Sequence, residues 1–168
     1  EKVPLSVNKS ENTALMDIQR NRKSLRKFDP EGLTFEELSD LLHLSYCITR
    51  EHEHKKAPPS RNIASPGALF PVDLYFVNQR VNGLKKGVYY YNLFERCLQL
   101  VSDHRTDEEN DALINRAFLI DYQTDIDFTT ASGYIVLAAT FNRSCFKYQD
   151  KGIRFAMIDT GAIIHSIY

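Results

Sequence analysis

The chain has 168 residues, 43% of them hydrophobic and 26% charged, and 21 Lys and Arg against 22 Asp and Glu leave a net charge of -1. That length suits one domain spanning residues 1–168, in which about 70% of the unfolded surface is buried. The near-neutral balance lacks the basic stripe of a nucleic-acid binder, and the apolar stretch Tyr134 to Phe141 is far short of the roughly 20 residues that span a bilayer.

Glu1 to Ser10 is polar and mixed, without the pattern of a secretory signal. Cys47, Cys97 and Cys145 have neither the even count of a disulfide framework nor metal-ligand spacing. A reducing, cytoplasmic setting is therefore expected. Thr34-Phe35-Glu36-Glu37 is a capping box, and Leu38, Leu41, Leu42 and Ser45 follow at helical spacing, so residues 35–46 are predicted as an amphipathic helix. Val72 to Val77, bounded by Pro71 and Asn78, reads as a strand. Gly87 to Tyr91 and Cys97 to Val101 flank a turn at Asn92 to Glu95 and read as a hairpin. Thr106-Asp107-Glu108-Glu109 repeats the capping signal ahead of Ala112, Leu113, Ala117 and Phe118, which predicts a second helix with a solvated acidic start. Tyr134 to Phe141 has the composition of a strand covered on both faces. Ile153 to Tyr168 predicts a helix apolar on nearly all sides, with Ile153, Met157, Gly161, Ile164 and Tyr168 along one line; such a helix needs cover all round, and a second subunit would supply it.

Three segments carry chemical potential. Arg20 to Lys27 holds five basic residues in eight, no acid, and the hydroxyl of Ser24. Arginine forks and a hydroxyl suit a phosphate monoester, although runs of charge are ordinarily solvated turns. Pro58 to Pro71 holds four prolines, with Ser65, Gly67 and Ala68 keeping the loop thin, so a flat ring can approach its backbone; a structural loop leading into a strand explains it as well. Lys147 and Tyr148 are proton-transfer groups if a pocket tunes them, and surface residues otherwise. His52 and His54 alternate with acids but lack a third metal ligand nearby, and His43 and His165 on apolar helices have the ordinary role of satisfied core histidines.

In order along the chain, these pieces resemble the nitroreductase-like flavoproteins, and within them the SagB-type dehydrogenases that include the azoline oxidases of peptide-toxin biosynthesis. Arg22 to Phe28 is similar to that branch's Arg-x-Ser-x-Arg-x-Phe opening. Arg61 to Pro71 resembles its Arg-x-x-Pro-Ser-x-Gly-Ala-Leu-Tyr-Pro loop, with Ala64 in place of proline and Phe70 in place of tyrosine. Gly87 to Tyr91 resembles its Gly-x-Tyr-x-Tyr strand, and Phe146 to Arg154 its Lys-Tyr-x-x-Arg-Gly-Tyr-Arg stretch. Asp159-Thr160-Gly161-Ala162 resembles the start of its long central helix, with Ala162 replacing a histidine.

The resemblance implies an α+β fold with an antiparallel-rich central sheet flanked by helices, a long buried helix at a homodimer interface, and bound FMN. Arg22, Lys23, Ser24 and Arg26 would hold the FMN phosphate, while Ser65, Pro66, Gly67, Ala68 and Gly161 would line the flavin. Lys147 and Tyr148 would be the catalytic pair, with no metal. Family members continue past the central helix, so the chain is expected to lack the C-terminal part of the fold. The implied reaction oxidises azoline rings to azoles in a ribosomally made precursor peptide, with oxygen reoxidising the flavin and a YcaO-type cyclodehydratase as partner. The alternatives are an NAD(P)H-dependent nitro or quinone reductase, and a non-catalytic flavin-binding or scaffold subunit.

Overall fold

The computed structural model describes residues 2–5, 18, 21–51, 58–103, 106, 108, 109, 112 and 128–168. Its centre is an antiparallel sheet in the order β1-β6-β5-β4-β7, formed by Lys2–Pro4 (β1), Val72–Asn78 (β4), Gly87–Asn92 (β5), Cys97–Ser102 (β6) and Gly133–Ala139 (β7). A ribbon of Ile48–Arg50 (β2) and Ser60–Arg61 (β3) stands apart from it. Helices α1 (Phe35–Ser45), α2 (Phe141–Tyr148) and α3 (Lys151–Ile167) complete the described α+β fold.

Helix α1 begins where the capping box places it. Thr34 Oγ1 accepts the Glu37 N–H at 3.2 Å, and Glu37 Oε2 accepts the Thr34 N–H at 2.8 Å, so two end amides are satisfied reciprocally. Leu38 and Leu42 then point inward and are fully buried. In β4 the pleat alternates: Val72, Leu74, Phe76 and Asn78 are buried, while the residues between them are half-buried. Leu38, Leu42, Leu74, Tyr89, Tyr91, Leu98 and Ile163 share one core, which therefore lies between one face of the sheet and helices α1 and α3. The β5–β6 hairpin turns at Asn92, whose side-chain oxygen accepts the N–H groups of Phe94 and Glu95 at 3.0 and 3.1 Å.

Three expectations change. Residues 134–141 are not a strand covered on both faces. Among the described residues strand β7 pairs only with β4, at the edge of the described sheet, and ends at Ala139, and Phe141 begins α2. Its faces alternate, leaving Val136 46% exposed, because an apolar run does not distinguish a central strand from an edge strand. Helix α3 is buried only along Gly152, Ala156, Asp159 and Ile163; Ile153, Met157, Ile158, Ile164 and Tyr168 are exposed, since one sheet can cover only one side of a helix. His165 lies on that outer side and is exposed, whereas His43 is half-buried. The Thr106–Glu109 capping pair is present, with N–H bonds of 2.9 and 3.2 Å. Leu113, Ala117, Phe118, His52 and His54 lie outside the described residues.

Helices α2 and α3 meet at a tight corner. Gln149 adopts φ +52°, and Gly152 packs so closely that a Cβ there would lie 2.5 Å from Cys145 N and 2.6 Å from Ser144 C. Both obstacles are backbone, so only glycine admits this approach. Arg143 ties the start of α2 to β4 through a two-pronged ion pair with Asp73, at 2.8 and 3.0 Å. Gly152→Ala is expected to separate the two helices and to cost roughly 1–3 kcal/mol of stability in urea titration.

Candidate active site

The loop from Arg61 to Pro71 gathers the residues of interest. At its start, the Arg61 guanidinium sits over two rings, 5.0 Å from the centroid of Tyr46 and 4.1 Å from that of Phe70. It donates to the Tyr46 hydroxyl, which in turn donates to Val72 O at 3.2 Å. Burial pushes the Tyr46 phenol up, partly offset by the Arg61 charge, so it stays a neutral donor.

The middle of the loop is left-handed. Gly67, Ala68 and Phe70 have φ of +68°, +54° and +43°. For the alanine and the phenylalanine this course costs on the order of 1–3 kcal/mol each and persists only if the surroundings enforce it. Ser65 does so: its Oγ accepts the Phe70 N–H at 3.0 Å and donates to Asp159 Oδ2 at 2.5 Å. Asp159 lies midway along α3, is 3% exposed, and its Oδ1 is buried with no hydrogen-bond partner. Desolvation raises its carboxyl above the ordinary 3.8, and the Ser65 hydrogen bond opposes that rise. The segment Asp159 to Ala162, matched above to a helix start, is therefore a helix interior. Sequence reasoning assigned Asp159 no role, although a lone acid within an apolar helical stripe was a readable signal.

At the loop's tip the structure joins two of the predicted segments. A Cβ placed on Gly67 would lie 2.7 Å from Tyr148 Oη and 3.0 Å from Lys147 Nζ. Lys147 and Tyr148 thus reach from the end of α2 onto the Gly67 backbone. Lys147 Nζ lies 5.5 Å from the Tyr148 ring, and Tyr148 stands edge-on to Phe155 at 4.9 Å. An earlier stretch of the loop, Asn62 to Ala64, forms a cavity of about 560 Å³ with Ile18, Arg22 and, from α3, Ile158, Ala162 and His165 among others. Arg22, itself exposed, lines this cavity beside the loop, whereas Lys23, Ser24 and Arg26 are exposed without being part of its lining. Ser65 and Ala68 line a second hollow with Pro58, Pro59 and Arg61. Pro66 is half-buried at the start of the left-handed turn. Gly161 faces open space on the outer side of α3, with nothing within 4 Å of its Cβ position.

The lining of this cavity suits a flat ring with an anionic tail. A cavity of about 560 Å³ falls in the ordinary range for small-molecule sites. Ile63, Ala64, Ile158 and Ala162 give it an apolar wall suited to a flat ring, while Arg22 and Asn62 supply a cation and an amide suited to an anionic tail. Chemically, the arrangement sets an amine and a phenol against Gly67 and a cation in the cavity beside Asn62 to Ala64.

The nitroreductase family matches residues 20–168. A protein of Methanocaldococcus jannaschii described as a nitroreductase is 26% identical over 159 residues, which cover 94% of this chain and 73% of that protein. Among solved structures, one described as a nitroreductase of Ralstonia eutropha has a TM-score of 0.71 at 22% identity, over 99% of this chain and 69% of the other. Another so described, of Anabaena variabilis, has a TM-score of 0.66 at 24% identity, over 79% of this chain and 26% of the other. A chain of the E. coli microcin synthetase McbBCD complex with truncated pro-MccB17 bound has a TM-score of 0.60 at 18% identity, over 95% of this chain and 58% of that one. The chain thus spans about a quarter of the Anabaena protein and somewhat over half of the microcin synthetase chain.

Two outcomes follow from this geometry. Gly67→Ala meets the movable ends of two side chains rather than backbone, so Lys147 and Tyr148 are expected to give way at a stability cost of only about 1–2 kcal/mol from the left-handed φ; urea unfolding measures that cost. Asp159 holds its proton more tightly folded than unfolded, so its stabilising contribution is complete below pH 3.8 and is lost as pH rises through its raised value. Asp159→Asn is therefore expected to be more stable than the parent at pH 7, by a margin that narrows toward pH 4 in paired urea titrations.

Proposed function

The chain belongs to the nitroreductase family of oxidoreductases, and from that premise we propose that it is an FMN-dependent dehydrogenase of azoline rings in a ribosomally made peptide. The observation that carries the reading is the contact of Lys147 and Tyr148 with Gly67, which sets two proton-transfer groups beside the thin loop proposed to lie along the flavin. The fold likeness to a chain of a microcin synthetase complex that holds a pro-peptide supports the choice of substrate class.

Aromatising a five-membered azoline removes two electrons and two protons. FMN, when bound, would supply the two-electron acceptor for the hydride. Lys147 Nζ or Tyr148 Oη takes the remaining ring proton and relays it to solvent. Arg22, with Lys23, Ser24 and Arg26 in the same stretch, would hold the phosphate of the cofactor, and Ser65, Pro66, Gly67 and Ala68 would lie along the flavin. Gly161, on the outer side of α3, completes the cofactor site from the subunit boundary. Oxygen is the proposed final electron acceptor, and a YcaO-type cyclodehydratase the proposed supplier of the azoline. The exposed line Ile153, Met157, Ile164 and Tyr168 is the surface we assign to a second copy of the chain. No described helix is long and apolar enough to cross a membrane, and the proposed setting is cytoplasmic.

A second reading, reduction of nitro or quinone compounds by NAD(P)H, is favoured by the description of the M. jannaschii relative. Two measurements separate them. The purified protein is expected to be yellow, with flavin absorption that oxygen restores after reduction and that NADPH does not bleach quickly. Lys147→Ala and Tyr148→Phe are expected to abolish ring oxidation while leaving the flavin bound. Rapid bleaching by NADPH would select the reductase reading instead. Arg22→Ala removes one charge-assisted contact to phosphate and is expected to weaken FMN affinity by about 10- to 100-fold, read by fluorescence titration.

A further inference from the structure

The proposed chemistry leaves Asp159 without a part. Among the described buried residues it is the carboxylic acid, it sits in the interior of α3, and its single hydrogen bond is the one from Ser65. A charge-capable group in that place is expensive unless it holds something. What it holds is the start of the loop. Ser65 Oγ stands between Asp159 and the Phe70 N–H, and the left-handed residues Gly67, Ala68 and Phe70 follow within five positions.

We propose that Asp159 is a positioning residue: by accepting the Ser65 hydroxyl it keeps the 65–70 loop in its left-handed course and so seats the Gly67 backbone against Lys147 and Tyr148. The catalytic meaning of this latch rests on the function proposed above; the latch itself does not. The chain of contact runs from α3 through Ser65 to Phe70, closes the turn, and delivers Gly67 to the end of α2. It accounts for three facts with one device: an acid buried in an apolar helix, two non-glycine residues at positive φ, and a glycine within clashing distance of both members of the pair. Other contacts also reach this loop, among them the Ala68 N–H to Ser65 O at 2.9 Å, Arg143 to Phe70 O at 3.4 Å and the Arg61 guanidinium over the Phe70 ring, but Ser65 Oγ is the group that accepts the Phe70 N–H and joins it to α3.

The test needs no flavin and uses the full chain. Amide hydrogen exchange is followed at Phe70, with amine-ester labelling of Lys147, in the parent and in Ser65→Ala, Asp159→Leu and Asp159→Asn. Phe70 exchange is expected to rise roughly tenfold in Ser65→Ala and Asp159→Leu, together with Lys147 labelling. Asp159→Asn keeps an oxygen acceptor in the same place and is expected to return both to parent values. Unchanged Phe70 exchange and Lys147 labelling in Asp159→Leu overturn the proposal, and so does an Asp159→Asn variant that behaves like Asp159→Leu. Should Asp159→Leu also speed exchange at Leu74 and Phe76 in β4, the fold itself has loosened; Ser65→Ala then decides, with release of Phe70 supporting the latch and retention overturning it. Because every readout is taken on flavin-free protein, a failed latch and a colourless protein are distinct results.

Discussion

A carboxylate in the middle of an apolar helix, bonded to one serine hydroxyl, organises this molecule around residues 65–70. Without that bond the loop would have little reason to carry alanine and phenylalanine through the left-handed region, where side chains crowd the following carbonyl. With it, segments separated by 80 to 94 positions in sequence become neighbours: Ser65 meets Asp159, and Gly67 meets Lys147 and Tyr148. Glycine is required twice on this path. At Gly67 it allows the turn and the close approach, and at Gly152 it lets α2 press on α3 backbone to backbone. Positioning of the amine and the phenol is thus a property of two absent side chains as much as of the two present ones.

Helix α3 serves two surroundings at once. Its inner line of Gly152, Ala156, Asp159 and Ile163 faces the sheet and the loop, and its outer line keeps Ile153, Met157, Ile164 and Tyr168 in water. Covering a large apolar side chain is worth about 1.5–3 kcal/mol. Several such groups on one line therefore make a substantial drive toward association, which is the physical basis for assigning this face to a second copy. The cavity beside Arg22 opens on the same helix, through Ile158, Ala162 and His165. The surface proposed for pairing and the site proposed for the cofactor are therefore adjacent, and a partner's approach would alter the walls of the site.

Legibility in the sequence followed the range of the interactions. Helix α1, the β4 strand and the β5–β6 hairpin were readable because a capping box, a pleat alternation and an Asn-led turn are each complete within a few residues. Strand β7 was misread as doubly covered, since Ile135 to Ala139 has the same composition whether it lies at the centre or the edge of a sheet. His165 was expected in the core because its helix is apolar, yet which side of that helix meets the sheet is set by packing and not by composition. Within the site, the thin loop and the Lys147–Tyr148 pair were each visible as motifs. Asp159 is visible in the sequence as a lone acid in an apolar stripe, but what it does depends on its partner 94 positions away, which the sequence does not reveal.

Apart from the α+β class, which the family resemblance implied, the residue order by itself determined the approximate bounds of α1, β4 and the β5–β6 hairpin, and the three segments with chemical character. Those are consequences of periodicity, turn chemistry and residue type, all of which act locally. Only the tertiary structure decided which segments touch: that the loop's tip rests on the amine and the phenol, that Arg22 of the basic stretch lines the cavity, and that α3 turns an acid inward and apolar side chains outward. Each of these depends on which surfaces the sheet buries, and that choice is made by the whole core together, through contacts between residues far apart in the chain.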